Sequence, residues 1–231
     1  YRRQANNSCG TAYSNTITVT VAAALSGGTV GSDQNLCHSG DPAAFTSSAP
    51  ASGGIGAWTY QWQSQANCAG GWTDIAGATG LTYDPPAGLT QTTCYRRVAT
   101  NSCGTAYSNT ITVTVATALS GGTVGSDETI CNGGDPAAFT SSAPASGGIG
   151  AWTYQWQSQA NCAGGWTDIA GATGLTYDPP AGLTQTTCYR RVATNSCGTA
   201  YSNTITITVA ADMTGGTIAA NQTICYNTIP S

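Results

Sequence analysis

The stretch Ala57-Trp58-Thr59-Tyr60-Gln61-Trp62-Gln63-Ser64 alternates large aromatic and polar side chains. Successive side chains of a β-strand point to opposite faces. Trp58, Tyr60 and Trp62 therefore share one face, and Thr59, Gln61 and Gln63 the other. The pattern predicts a strand lying on a core, with the three aromatics as a core stripe rather than a ligand platform. Downstream, a Gly-rich turn at 66–71 leads into a partner strand at 72–75, so this region reads as a hairpin. Trp72 sits beside two glycines and is the tryptophan most expected at the surface.

Further outward the same signals recur. A first strand is expected from Thr29-Val30 to Leu36-Cys37, and a second at Ala43-Ala44-Phe45. After the hairpin come Leu81-Thr82-Tyr83, a corner at 84–89, and a closing hairpin from Thr93 to Val115. Turns such as Gly40-Asp41-Pro42, Gly53-Gly54 and Asp84-Pro85-Pro86 separate these runs. No stretch carries a sustained helical period. A central strand with a core Trp, a corner and a closing hairpin is the plan of an immunoglobulin-like sandwich, so the fold class is all-β.

The plan repeats. Residues 95–188 copy residues 1–94, and a third copy begins at Tyr189. The two full copies differ only at Gln4/Val98, Asn6/Thr100, Ala23/Thr117, Gln34/Glu128, Asn35/Thr129, Leu36/Ile130, His38/Asn132 and Ser39/Gly133. A fixed period marks an array, and each unit is long enough to own a core. The frame predicts sandwiches at 27–116 and 121–210, joined by a short linker at 117–120. Residues 1–22 read as the closing hairpin of a preceding repeat, and 214–231 as the first strand of a following one. A lone hairpin cannot bury its own apolar face, so strand exchange between units or chains is a further expectation.

Charge is scarce, at 7% of residues, with no lysine and a net charge of -4. The six basic residues are Arg2-Arg3, Arg96-Arg97 and Arg190-Arg191. Nucleic acid and membrane insertion are not expected of such a segment. Neighbouring strand residues face opposite ways, so one Arg of each pair faces outward. Its stem is expected to pack along the sheet beside an Asp counter-charge.

Ten cysteines fall into four classes: Cys37, Cys131 and Cys225; Cys68 and Cys162; Cys94 and Cys188; Cys9, Cys103 and Cys197. No C-x-x-C pair suggests zinc, and that density reads as a disulfide framework in an oxidising compartment. The antiparallel arrangement places the Cys68 loop beside the strand of Cys94, which predicts Cys68–Cys94 and Cys162–Cys188. Each closes a loop of about 25 residues, worth roughly 3 kcal/mol. Two arrangements stay open for the rest. One keeps Cys37–Cys103 and Cys131–Cys197 inside a unit. The other, Cys9–Cys37, Cys103–Cys131 and Cys197–Cys225, staples each unit to the next. It is preferred because it leaves no cysteine over.

Catalysis is not expected. His38 is replaced by Asn132, so no His dyad recurs. The recurring carboxylates Asp33/127, Asp41/135, Asp74/168 and Asp84/178 read as turn and strand-end residues, too few for calcium and unsuited to paired-acid hydrolysis. Thr16, Thr18 and Thr20 form a single row, weak support for ice binding. No cofactor or metal is expected.

Several stretches together resemble a known repeat type: residues 59–64, 72–79, 81–97 with its Asp-Pro-Pro-Ala-Gly-Leu-Thr-Gln-Thr-Thr core, and Ile130-Cys131-Asn132-Gly133-Gly134-Asp135-Pro136. They resemble the Ig-like repeats of giant surface proteins of gliding, filamentous bacteria, exported by the type IX secretion route. That family includes gliding adhesins and extracellular hook-like filaments. The resemblance implies no catalytic residues and a cell-surface, extracellular setting. Relatives commonly carry Tyr at the position of Cys94 and lack a counterpart of Cys68, which implies that the Cys68–Cys94 bridge is an added staple. The expected function is a self-assembling structural segment of a filament or adhesin, with copies of itself as partners. The alternative is a monomeric stalk whose units bind surface glycans or a target-cell protein.

Overall fold

The computed structural model describes residues 1–218, 221, 223–227 and 229. It is all-β, with no helix among the described residues. The chain divides into two compact units, Tyr1–Leu119 with Gly147–Gly150, and Ser120–Ser146 with Ala151–Ser231. Each is built around one immunoglobulin-like sandwich.

The first sandwich contains β3 (Thr29–Val30), β4 (Gln34–Leu36), β5 (Ser47–Ala49), β6 (Thr59–Ala66), β7 (Thr73–Asp74), β8 (Thr93–Asn101), β9 (Gly104–Tyr107) and β10 (Ile111–Val115). Ahead of it lies a small hairpin, β1 (Gln4–Asn7) and β2 (Gly10–Tyr13), exposed along its length. The main sheet runs β4-β10-β8-β6-β7, with β9 also on β8, and the smaller sheet pairs β3 with β5. Single bridges between Ser26 and Ser52, Phe45 and Tyr83, and Gly40 and Leu89 extend the second layer. All pairings are antiparallel except β4 with β10, where Gln34–Leu36 run alongside Val113–Val115. The second unit repeats this order with β11 (Thr123–Val124), β12 (Glu128–Cys131), β13 (Ser141–Ala143), β14 (Thr153–Ala160), β15 (Thr167–Asp168), β16 (Thr187–Asn195), β17 (Gly198–Tyr201) and β18 (Ile205–Ala210).

The expected single first strand is two strands in different sheets. The break falls at Gly31, whose φ of 24° is rarely open to other residues, and at Asp33. The Asp33 carboxylate accepts a hydrogen bond from the Thr112 amide at 2.8 Å and anchors the second piece to β10. The segment around Val19, expected as a strand, is not one. Ile17, Val19 and Val21 are exposed, whereas their counterparts Ile111, Val113 and Val115 lie in β10 between β4 and β8. A strand needs a neighbour to satisfy its backbone. The expected strand at 214–231 falls partly outside the described residues, and its described residues carry no strand.

The core of the first unit is Val30, Phe45, Trp62, Tyr95, Ile111 and Val113. Trp62 is fully buried and its indole N–H donates to the Gly80 carbonyl at 3.0 Å. Its ring centroid lies 5.7 Å from both Phe45 and Tyr83. Only this member of the aromatic stripe reaches the core. Trp58 and Tyr60 are half-buried, and the Tyr60 ring faces a different group, Arg97.

Arg97 is fully buried. Its terminal nitrogens donate to Ser47 Oγ and the Leu81 carbonyl, each at 2.8 Å, and to the carbonyls of Gly27 and Ala49 at 3.2 and 3.3 Å. One side chain thus ties β8 of the main sheet to the smaller layer. No carboxylate is needed here: carbonyl dipoles and the Tyr60 ring surround the cation, and among the described residues no acid pairs with it. Burial lowers its pKa, and the Tyr60 interaction works the other way. Arg191 repeats the arrangement with Ser141, Leu175, Gly121 and Ala143. Gly27 must stay small, since a Cβ there would lie 2.1 Å from the Tyr107 carbonyl carbon.

Candidate functional site

Two features of each unit bear chemistry: its cysteines and the outward arginine. Cys68 and Cys94 are bonded with Cα atoms 4.9 Å apart, and Cys162 and Cys188 with 5.0 Å. The local cause is a tight turn. Asn67 and Cys68 both take left-handed φ, 52° and 51°, which swings Cys68 back toward the start of β8. Gln65 and Cys94 are opposite one another in the register, so the turn and the Cys94 backbone are level.

The other classes correct the expected pairings. Cys9, Cys103 and Cys131 are free, exposed thiols. Neither Cys9–Cys37 and Cys103–Cys131 nor Cys37–Cys103 and Cys131–Cys197 is therefore formed. Cys37 and Cys197 are nonetheless oxidised. Cys225 is exposed. For the within-unit pairs Cys37–Cys103 and Cys131–Cys197 the reason lies in the position of each class within its unit. Cys103 is at the tip of the β8–β9 hairpin, where its amide donates to Asn101 Oδ1 at 2.9 Å. Leu25, where the chain enters the sandwich, packs against the neighbouring Gly104. This is the leading pole. Cys37 follows Leu36, whose carbonyl accepts from the Ala116 amide at 2.9 Å, where the chain leaves. This is the trailing pole. Cys131 likewise pairs in register with Ala210, at the trailing pole of the second unit. The nine residues of β8 hold the poles about 30 Å apart, far beyond disulfide reach.

On the outer face of β8, the Arg96 guanidinium lies between two rings, 4.3 Å from the Trp72 centroid and 4.2 Å from that of Tyr107. Gln63 Oε1 accepts from Arg96 Nε at 2.7 Å, and Gln63 Nε2 donates to Asp74 at 2.8 Å. Trp166, Arg190 and Tyr201 form the same stack, with Gln157 and Asp168 behind it. The stack can present a fixed cation framed by aromatics. Sequence reading left this role open because Tyr107 and Trp72 meet only across the sheet.

Four of the candidate acids are held in hydrogen bonds within their units. Asp33 and Asp127 accept backbone amides, and Asp74 and Asp168 accept from glutamines. His38 Nδ1 is hydrogen-bonded to its neighbour Ser39 Oγ at 3.0 Å. Among the described residues no cluster of three or more His, Cys, Asp or Glu could hold a metal. No described helix is long and apolar enough to cross a membrane.

A family profile described as "Domain of unknown function (DUF8696)" matches residues 26–117 and again 120–211. Endoglucanase C of Cellulomonas fimi is 35% identical over 166 residues. That match takes in 70% of this chain, but the chain spans only 14% of the enzyme's length. Among solved structures, domains A168–A170 of titin align with a TM-score of 0.44 and 17% identity, over 90% of this chain and 73% of that one. The N-terminal four Ig domains of Dscam1 isoform 4.44 align with a TM-score of 0.40 and 17% identity, over 87% and 51%.

Proposed function

The chain belongs to the DUF8696 domain family through both of its sandwiches, and from that premise we propose that it is a structural segment of an extracellular bacterial filament or giant surface adhesin. The units are tandem, disulfide-bonded and of extracellular type. The proposed role is mechanical and non-catalytic: stacked, nearly identical sandwiches that assemble with copies of themselves and serve attachment or capture. The motifs shared with giant surface proteins of gliding bacteria support export by the type IX route and display at the cell surface.

One observation carries this reading. Where the copies differ the frame is kept, and the one histidine, His38, is given up for Asn132. Gln34 and Glu128 both accept the amide of the facing Ala43 or Ala137, at 2.8 and 2.9 Å. Weak surface charge also leaves little repulsion between copies.

A second reading has its own support. The Trp72–Arg96–Tyr107 stack repeats on each unit and favours a monomeric stalk that binds acidic surface glycans or a target-cell protein. Electron micrographs of native surface material decide between them. Thick, ordered, multi-chain filaments would sink the stalk. Single thin threads, with units retained on a glycan array, would sink the filament.

A further inference from the structure

The free thiols Cys103 and Cys131 occupy opposite kinds of pole, one leading and one trailing. Their class members, Cys197 at a leading pole and Cys37 at a trailing pole, are both oxidised and half-buried. Both pole positions therefore accept a disulfide without loss of the sandwich. Cys103 follows an Asx-type turn and Cys131 ends a paired strand, so each thiol is presented from ordered backbone.

We propose that the trailing-pole Cys131 of one copy and the leading-pole Cys103 of a second copy form a disulfide, joining copies head to tail. The inference rests on the filament reading and gives it a covalent joint. Two thiols lose two protons and two electrons. A disulfide oxidant such as oxidised glutathione accepts them and leaves as two thiols, through a mixed disulfide on either cysteine. A head-to-tail joint uses two different surfaces and so propagates, whereas Cys131–Cys131 or Cys103–Cys103 pairing would stop at two copies.

The test uses the full 231-residue chain carrying Cys9→Ser and Cys225→Ser, so that neither of these exposed cysteines competes with Cys103 or Cys131. It is incubated with oxidised glutathione and separated without reductant. The expected result is a ladder of dimers, trimers and longer species that collapses to monomer with dithiothreitol. Peptide mapping should show Cys103 joined to Cys131. Cys103→Ser or Cys131→Ser alone should leave the chain monomeric, with the Cys68–Cys94 bond still present as the sign of an intact fold. A chain that stays monomeric, one that stops at dimers, or a ladder that survives either substitution overturns the proposal. Thin single threads in native material would remove the filament reading and leave this bond standing, so the two fail separately.

Discussion

The guanidinium carbon of Arg97 lies 4.9 Å from the centre of the Tyr60 ring, fully buried, and its two terminal nitrogens donate to carbonyl and hydroxyl oxygens. A charge so placed cannot be removed without leaving buried acceptors unsatisfied. Arg97→Ala with Arg191→Ala is expected to cost about 3–5 kcal/mol per unit in urea unfolding. The outward pair Arg96→Ala with Arg190→Ala loses two exposed ring contacts and should cost about 1–2 kcal/mol. Equal losses would contradict the assignment of the inward and outward arginines.

The Cys68–Cys94 bond spans 26 residues. Its loss should lower stability by about 3.5 kcal/mol per unit, read as a shift of the denaturant midpoint in Cys68→Ala/Cys94→Ala with the matching change at Cys162 and Cys188. The fold should survive, because the core of Trp62, Phe45 and Tyr95 does not include either sulfur.

Asn67 holds a left-handed φ of 52°. Asn67→Gly should be close to neutral, whereas Asn67→Val should cost about 1–2 kcal/mol, since a branched side chain resists that conformation. Thermal unfolding of the two variants side by side checks this. Loss of equal size in both would mean that the Asn side chain, not the backbone, matters.

Burial pushes the Tyr95 hydroxyl up to about 12, helped by neighbouring Tyr83 and opposed by a bond to Thr93. Tyr189 is raised to about 12 for the same first reason. The folded state holds its proton more tightly than the unfolded chain, whose tyrosines titrate near 10. The stabilisation is therefore complete below pH 10 and is lost as pH rises from 10 through 12. It amounts to about 2–3 kcal/mol per unit. Alkaline unfolding should begin in that window and move to higher pH in Tyr95→Phe/Tyr189→Phe.

Much of this was legible before any coordinates. The alternation around Trp62 marks β6, and the Gly-rich turn after it marks the hairpin that carries Cys68. The buried arginine was not, because charge is ordinarily read as surface and nothing local in Arg96-Arg97 says which one turns inward. That choice is made by register, which sets Arg97 opposite Trp62 and Arg96 opposite Gln63. The preferred pairs Cys9–Cys37 and Cys103–Cys131 rest on leaving no cysteine over, and that count says nothing of where each class sits: Cys103 is at the β8–β9 tip, whereas Cys131 ends β12. The stacks of Arg96 and Arg190 draw on two strands and the residue just ahead of a third, and leave no local signature.

The parallel pairing of β4 with β10 has a mechanical meaning. Tension arriving through the first strand draws β4 toward its N-terminus, while tension leaving through the last draws β10 toward its C-terminus. The two strands are then sheared past each other along their length. Their hydrogen bonds must give way together rather than open one by one as in an unzipped hairpin. The Asp33 carboxylate on the Thr112 amide sits at the edge of that seam as a latch, and Asp127 on Thr206 repeats it. Each unit is in this sense a link whose strongest direction lies along the chain.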